Sequence, residues 1–299
     1  ISADEKGFGG GAGPGKATGG YPGRIGGSHG GNGGVGSDGV GLGNTYGTIK
    51  QPISLGSGGG TQAGQGPTAG GAIRLKVTGE TNVLGTISAN GNPSDPGSSY
   101  GASSGGSVFL TTGTLVGSGT ISANAGVRGS DWGDGGGGGR VAVLLTSGTT
   151  FGTASMTAYG SVGKSDSSYY SAQSGGAGTV LIKTSEQTNG SLVVDNNDII
   201  TYHSKTVIAS GDNWQVDVAT VDNLASVLIN TGTTFTFSGS NSLSDGTGTT
   251  SGYITNRGTV ATPADFTIAK STFRADNQGT FSGLTNLTIA ADAVVTHTA

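Results

Sequence analysis

Apolar residues recur two apart in short runs along the middle of the chain: Ile73, Leu75 and Val77, then Ile87 and Ala89. Such alternation turns one side of a strand to a core and the other to solvent, and Thr and Ser fill many of the outward positions. No window of about 11 to 18 residues carries a helical stripe, so no amphipathic helix is predicted. The runs also repeat. Gly85-Thr86-Ile87-Ser88-Ala89-Asn90 returns as Gly119-Thr120-Ile121-Ser122-Ala123-Asn124 and, degenerately, as Ser155-Met156-Thr157-Ala158-Tyr159-Gly160. Ile1-Ser2-Ala3-Asp4 reads as the tail of an earlier copy. A second motif interleaves: Gly70-Gly71-Ala72-Ile73, Gly105-Gly106-Ser107-Val108, Gly138-Gly139-Arg140-Val141 and Gly178-Thr179-Val180.

A short strand motif recurring at a nearly constant interval belongs to a stacked repeat, in which each unit buries its face only against its neighbours. The predicted fold class is therefore all-β, a right-handed parallel β-helix (solenoid) with long Gly-rich loops. Gly/Ser stretches such as 91–104, 126–138 and 160–176 are expected to be thrown out from one side as loops, with glycines at corners or close backbone approaches.

The C-terminal third changes character. Residues 1–50 contain 20 glycines and residues 201–299 contain 9. The recurring unit becomes Asn230-Thr231-Gly232-Thr233, Asn256-Arg257-Gly258-Thr259 and Asn277-Gln278-Gly279-Thr280, a turn suited to Asn and Gly in left-handed conformations. Three regions follow: 1–69, a Gly-rich segment of first coils or irregular structure; 70–188, a Gly-rich β-helix with repeats of about 35 residues; and 189–299, tighter coils, with the junction near 186–198. For residues 5–47 a loop-rich coil, a flexible arm and packed polyglycine helices all remain open; strict Gly-X-Y periodicity is absent, which excludes collagen.

Composition narrows the function classes. Of 299 residues 63 are glycine and only 11% are charged, with a net charge of −4. Nucleic acid is excluded as a partner, because phosphate binding requires clustered Lys and Arg and the 14 basic residues are scattered. No apolar stretch approaches the roughly 20 residues of a membrane-spanning helix. The chain has no cysteine, so a long core rather than disulfides must supply stability.

Several side chains carry candidate chemistry. Gly33-Gly34-Val35-Gly36-Ser37-Asp38-Gly39-Val40-Gly41 fits a Ca²⁺-binding nonapeptide, although ions in such repeats are shared between consecutive copies and only one copy is present. Asp195-Asn196-Asn197-Asp198 packs four oxygen-bearing side chains into one turn; Asp38, Asp195 and Asp198 are the candidate Ca²⁺ ligands, against a solvated turn as the plain alternative. Asp131-Trp132-Gly133-Asp134 pairs carboxylates with an aromatic, as a sugar cleft would. Trp132, Tyr169 and Tyr170 are candidate glycan or partner contacts, and Trp214 is either such a platform or a corner plug. His29, His203 and His297 lie far apart and read as surface residues. Arg74, Lys76, Arg140 and Lys183 fall on predicted strands, without an accompanying carboxylate ladder.

The pattern Gly-Gly-x-Val/Ile-x-Leu, then Gly-Thr-Ile-Ser-Ala-Asn-Gly and a polyglycine stretch, resembles the glycine-rich repeats of very large secreted proteins. The Asn-x-Gly-Thr coils are similar to bacterial autotransporter passengers and filamentous adhesins. Together the resemblance covers roughly residues 70–299. It implies a parallel β-helix on a cell surface or in an extracellular assembly, with no catalytic residues to carry over. Glycine runs as long as Gly135–Gly139 depart from the passenger pattern. The expected function is a non-enzymatic extracellular structural or adhesive element: filament, sheath, stalk or adhesin segment. Its expected partners are copies or further repeats of itself, glycans or cell-surface components. A carbohydrate-acting enzyme on the same scaffold and a viral or phage receptor-binding tip are the alternatives.

Overall fold

The computed structural model describes residues 1–17, 24–35, 40–61, 66–95, 100–128, 133–163, 174–239, 243–244, 252–268, 276–277, 279–290, 293 and 295–296. Among these there is no helix, and the ordered elements are short strands. The first nine are β1 Ala72–Lys76, β2 Glu80–Asn82, β3 Thr86–Ser88, β4 Ser107–Thr112, β5 Thr114–Val116, β6 Thr120–Ser122, β7 Arg140–Leu145, β8 Ser155–Thr157 and β9 Thr179–Lys183. They form three parallel ladders, β1-β4-β7-β9, β2-β5 and β3-β6-β8.

The register follows the sequence repeats. Ala72, Ser107, Arg140 and Thr179 align across the first ladder. Ile87, Ile121 and Met156 align across the third, and Ser2 extends that ladder by bridging parallel to Ser88. The Asn of the repeat has a defined role. The backbone N–H of Asn90 donates to the Asp4 carboxylate, that of Asn124 to Asn90 Oδ1, and that of Tyr159 to Asn124 Oδ1. Each amide side chain thus satisfies the backbone one layer further on. Replacing Asn124 by Ala leaves the half-buried Tyr159 N–H without its partner, and urea denaturation should record a loss of about 1–2 kcal/mol. Asn124→Asp keeps an acceptor and should lose less.

Thirteen further strands follow: β10 Ser191–Asp195, β11 Thr206–Ile208, β12 Gln215–Val216, β13 Val218–Asp222, β14 Ser226–Ile229, β15 Thr234–Phe237, β16 Leu243–Ser244, β17 Tyr253–Asn256, β18 Thr259–Ala261, β19 Asp265–Ile268, β20 Asp276–Asn277, β21 Thr280–Ser282 and β22 Asn286–Ile289. From β10 on, most strands pair in parallel with the strand three places later. This gives the ladders β10-β13-β16-β19-β22, β11-β14-β17-β20 and β12-β15-β18-β21. Among the described residues of the Asn-x-Gly-Thr turns, the expectation of left-handed Asn and Gly is met at Gly232, with φ +76°. Gly258 is needed for a different reason: a Cβ there would strike the carbonyl oxygens of Asn230 and Thr233.

One pairing breaks the parallel rule. β9 and β10 run antiparallel, joined through residues 184–190, and fuse two ladders into one nine-stranded sheet. The Asp217 carboxylate pins this reversal by accepting hydrogen bonds from the N–H groups of Asn189 and Gly190, both 3.0 Å, while Gly190 takes φ +87°. The interior changes sides at the same point. Val108, Leu110, Val141, Val143 and Val180 face one apolar cluster. Leu192, Val194, Ala219, Val221, Phe266 and Ile268 belong to a second, together with Leu181, Ala142 and Phe109 from the opposite face of the earlier strands. The cross-strand pairs Leu192↔Leu181 and Val193↔Val180 carry this exchange. The second cluster contains an aromatic row, Trp214–Phe235–Phe237–Phe266, with centroid spacings of 6.4, 4.5 and 5.2 Å.

Within the stretches expected as outward loops, residues 101–104, 133–138 and 175–176 are instead interior, whereas Pro93, Asp95, Val127 and Val162 are exposed as expected. Residues 25–35, 56–60, 101–106, 133–139 and 175–178 are buried throughout yet belong to no strand. Their hydrogen bonds repeat every third residue. Phe8 and Gly11 donate to Gly56 and Gly59, Ala102 and Gly105 to Asp134 and Gly137, and Gly34 and Gly31 to Gly135 and Gly138. A strand has at most two neighbours in its sheet, but 101–106 also bonds to Ser57, Gly70, Ala89 and Gly126. Residues 25–35 fold back on themselves through Gly26 N–H to Gly34 and His29 N–H to Gly31, while the other four stretches bond only outward. A three-residue period without internal hydrogen bonds is that of polyproline II, and no glycine in these five stretches has a positive φ. The stretches pack as parallel and antiparallel extended helices that satisfy one another's buried backbone groups. This is the packed polyglycine alternative, and it extends well beyond residues 5–47. Hydrophobic patterning misses it because its core is made of backbone.

Candidate ligand cleft

Among the predicted site residues, Asp38, Trp132, Tyr169 and Tyr170 lie outside the described residues, as does Asp131. Asp195 and Asp198 share the turn after β10. Asp195 Oδ1 accepts from Asn197 N–H at 2.7 Å and from Asn223 Nδ2 at 3.1 Å. Asn197 and Asp198 have φ +51° and +57°, and Asn196 is buried, bonded to Gly160, Gly175 and Ile199. The Asp195 and Asn196 side chains thus bind the turn itself, Asn223 and the adjoining glycine stretch. Among the described residues no group of three or more His, Cys, Asp or Glu is placed to hold a metal ion. Asp134 is buried within the polyglycine packing.

His29 corrects the expectation of surface histidines: it is fully buried. A histidine among glycines carries no sign of burial in sequence, because its cover is backbone. Its Nδ1 lies 2.9 Å from the Gly105 carbonyl and therefore carries the proton. Nε2 is buried without a partner, and the ring packs 4.6 Å from Tyr46. Burial first, and the Arg140 charge second, lower its pKa to about 3.

Arg140 begins β7 and points to the face of the second cluster. Its column holds Ala72, Ser107 and Thr179, so it is the one bulky residue among small ones. That mismatch was the available sequence signal. Arg140 as a whole is 1% exposed. Nε donates to the Tyr46 carbonyl at 2.9 Å and Nη1 to Thr179 Oγ1 at 3.0 Å, while Cζ stands 5.7 Å from the centroid of the Trp214 ring. Burial lowers its pKa to about 10, still charged at neutral pH, with Asp212 opposing the shift. Trp214, the alternative platform or plug, is 4% exposed in the aromatic row and donates Nε1 to the Ala209 carbonyl, as a plug would, and it also belongs to the lining of a cleft.

That cleft, of about 290 Å³, opens between residues 45–48 and 209–214, with Arg140 and Trp214 within its lining. Asp212 closes one side. Its Oδ2 accepts from Ile49 N–H and its Oδ1 from Asn213 N–H, both 2.8 Å. The Tyr46 hydroxyl is turned away, donating to the Leu55 carbonyl at 2.6 Å and lying 2.8 Å from Ser57 Oγ; burial, the largest influence, raises its pKa. Tyr46 therefore stays a neutral donor. The polyglycine packing places residues 45–50 over Arg140, so the cleft joins three regions distant in sequence. No helix among the described residues is long and apolar enough to cross a membrane. No family model matches the chain, and neither the curated proteins nor the solved structures searched contain a match.

Proposed function

We propose that this chain is a non-enzymatic structural or adhesive element of an extracellular surface, built as a right-handed parallel β-helix. Three ladders with one strand each per layer fit stacked coils around each apolar cluster. The exchange of interior face at β9–β10 fits the same reading. Reversing strand direction alone would invert the winding of later coils, and moving the core to the opposite face restores it.

The observation that carries the proposal is the period-three hydrogen-bond network fused to the ladders. It makes a backbone-bonded block that needs neither disulfides nor many charges, as an exposed scaffold requires. Native-state hydrogen exchange tests the block: amides of residues 101–106 and 134–139 should exchange as slowly as those of β4 and β7. Exchange at loop-like rates would reject the scaffold reading. Antibody labelling of intact producing cells tests the location, and labelling only after permeabilisation would overturn it. Turnover of an acidic polysaccharide, lost on Arg140→Lys, would replace the proposal with a carbohydrate-acting enzyme.

A further inference from the structure

We propose that the cleft over Arg140 binds a uronate-type sugar unit, one carboxylate with neighbouring hydroxyls, through the free edge of the guanidinium. This inference stands apart from the scaffold reading and would hold on an enzyme or a receptor-binding tip as well.

Arg140 is a buried cation held on two of its three nitrogens. Nε and Nη1 are bonded to the Tyr46 carbonyl and Thr179 Oγ1, and Nη2 has no hydrogen bond to a described residue. Nη2 is not sealed off either: among the described residues only His29 Nε2 and Thr233 Oγ1 are inaccessible side-chain polar atoms without a partner. Arg140 belongs to the cleft lining although the residue is only 1% exposed, and the narrow surface it presents to that space is assigned to Nη2, the nitrogen without a partner. A desolvated guanidinium with an unused N–H pair is a site for a carboxylate oxygen, the acceptor its planar fork matches. Asp212 does not already fill this role: its oxygens bond the N–H groups of Ile49 and Asn213, and the Arg140 hydrogen bonds among the described residues go to Tyr46 and Thr179 instead.

The rest of the lining selects the remainder of the ligand. Each Asp212 oxygen keeps a lone pair that can accept from a hydroxyl. The same negative charge disfavours a multiply charged anion or a second carboxylate in the cleft. Ser210 and Thr48 are exposed hydroxyl residues at its mouth, and Trp214 offers indole surface beside the guanidinium. At about 290 Å³ the space lies at the small end of ligand sites, which start at about 300 Å³. It suits one six-membered ring rather than an extended peptide.

The test titrates the full chain with glucuronate, glucose and N-acetyl-glutamate amide, read by calorimetry and by Trp214 fluorescence in a Trp132→Phe background. Glucuronate should bind saturably at about millimolar concentration, and glucose about tenfold or more weakly, for want of the charge-assisted bond. Arg140→Lys should abolish the preference, but it also loses the bonds to Tyr46 and Thr179 and so endangers folding. Ser210 is exposed and outside the core, so Ser210→Glu and Ser210→Lys supply the independent reading. The first should weaken and the second should tighten glucuronate binding, whereas uncharged glucose, which loses only the Ser210 hydroxyl, should respond alike to both. Absence of saturable glucuronate binding, equal binding of glucose, identical glucuronate binding by the two Ser210 variants, or tighter binding of the glutamate derivative would each overturn the proposal.

Discussion

Lowering the pH from 7 to 4.5 is expected to cost this protein about 2–3 kcal/mol of unfolding free energy through His29 alone. In the unfolded chain the imidazole titrates near its ordinary value of 6.5, whereas in the fold burial and the neighbouring Arg140 hold it to about 3. Between those values the unfolded state binds one more proton than the folded state. Stability therefore falls as pH falls through this window, by at most about 1.4 kcal/mol per unit, and is unaffected by His29 above about pH 7. The geometry explains why the fold cannot accept the proton. Nδ1–H already points at the Gly105 carbonyl, and Nε2 faces no acceptor that would stabilise a second N–H. Urea denaturation across this range should show the slope, and His29→Gln should flatten it. Should that variant fold poorly, the His29 ring signals in the wild-type NMR spectrum provide the check. They should stay fixed down to pH 4.5, and a midpoint above about pH 5 would contradict the burial argument.

Adding one methyl group inside the polyglycine packing should be as damaging as emptying part of an ordinary core. At Gly137 a Cβ would fall on the Gly31 carbonyl oxygen, and at Gly175 on that of Gly136. Neither neighbour is a side chain that could swing away; both are backbone fixed by its own hydrogen bonds. Gly137→Ala and Gly175→Ala should each cost at least about 3 kcal/mol, the upper part of the range for overpacked interiors, because relieving the overlap also strains buried backbone bonds. Gly85 provides the contrast. It lies in a turn where an added methyl would meet no atom within 4 Å, and its φ is not positive. Gly85→Ala should be neutral or stabilise by about 0.4–1 kcal/mol, since it narrows the unfolded ensemble. If both classes of alanine variant proved equally harmless in thermal denaturation, the dense backbone packing would be untenable.

The strands of the first three ladders were legible because alternation and repetition act locally. Ile73, Val108, Val141 and Val180 align as the Gly-Gly-x-Val/Ile motif implies, and Ser2 bridges Ser88 as its place in the Thr-Ile-Ser-Ala repeat implies. A change of character near residue 190 was visible too, as a fall in glycine content. The antiparallel turn was not. Val180-Leu181-Ile182 and Leu192-Val193-Val194 are apolar at every position, so periodicity could not tell which side chains face which core.

By itself the sequence determined the all-β class, the parallel pairing within the repeats and the spacing of the layers, since a period of two and a recurring motif need no distant partner to be read. Tertiary structure alone decided the burial of the glycine stretches, the reversal at β9–β10 and the Arg140 cleft. The physical reason is common to all three. Hydrophobic pattern reports where side chains meet, whereas these features arise where bare backbone meets backbone, as in Gly31 against Gly138, or where residues as remote as Tyr46, Arg140 and Trp214 are brought together by it.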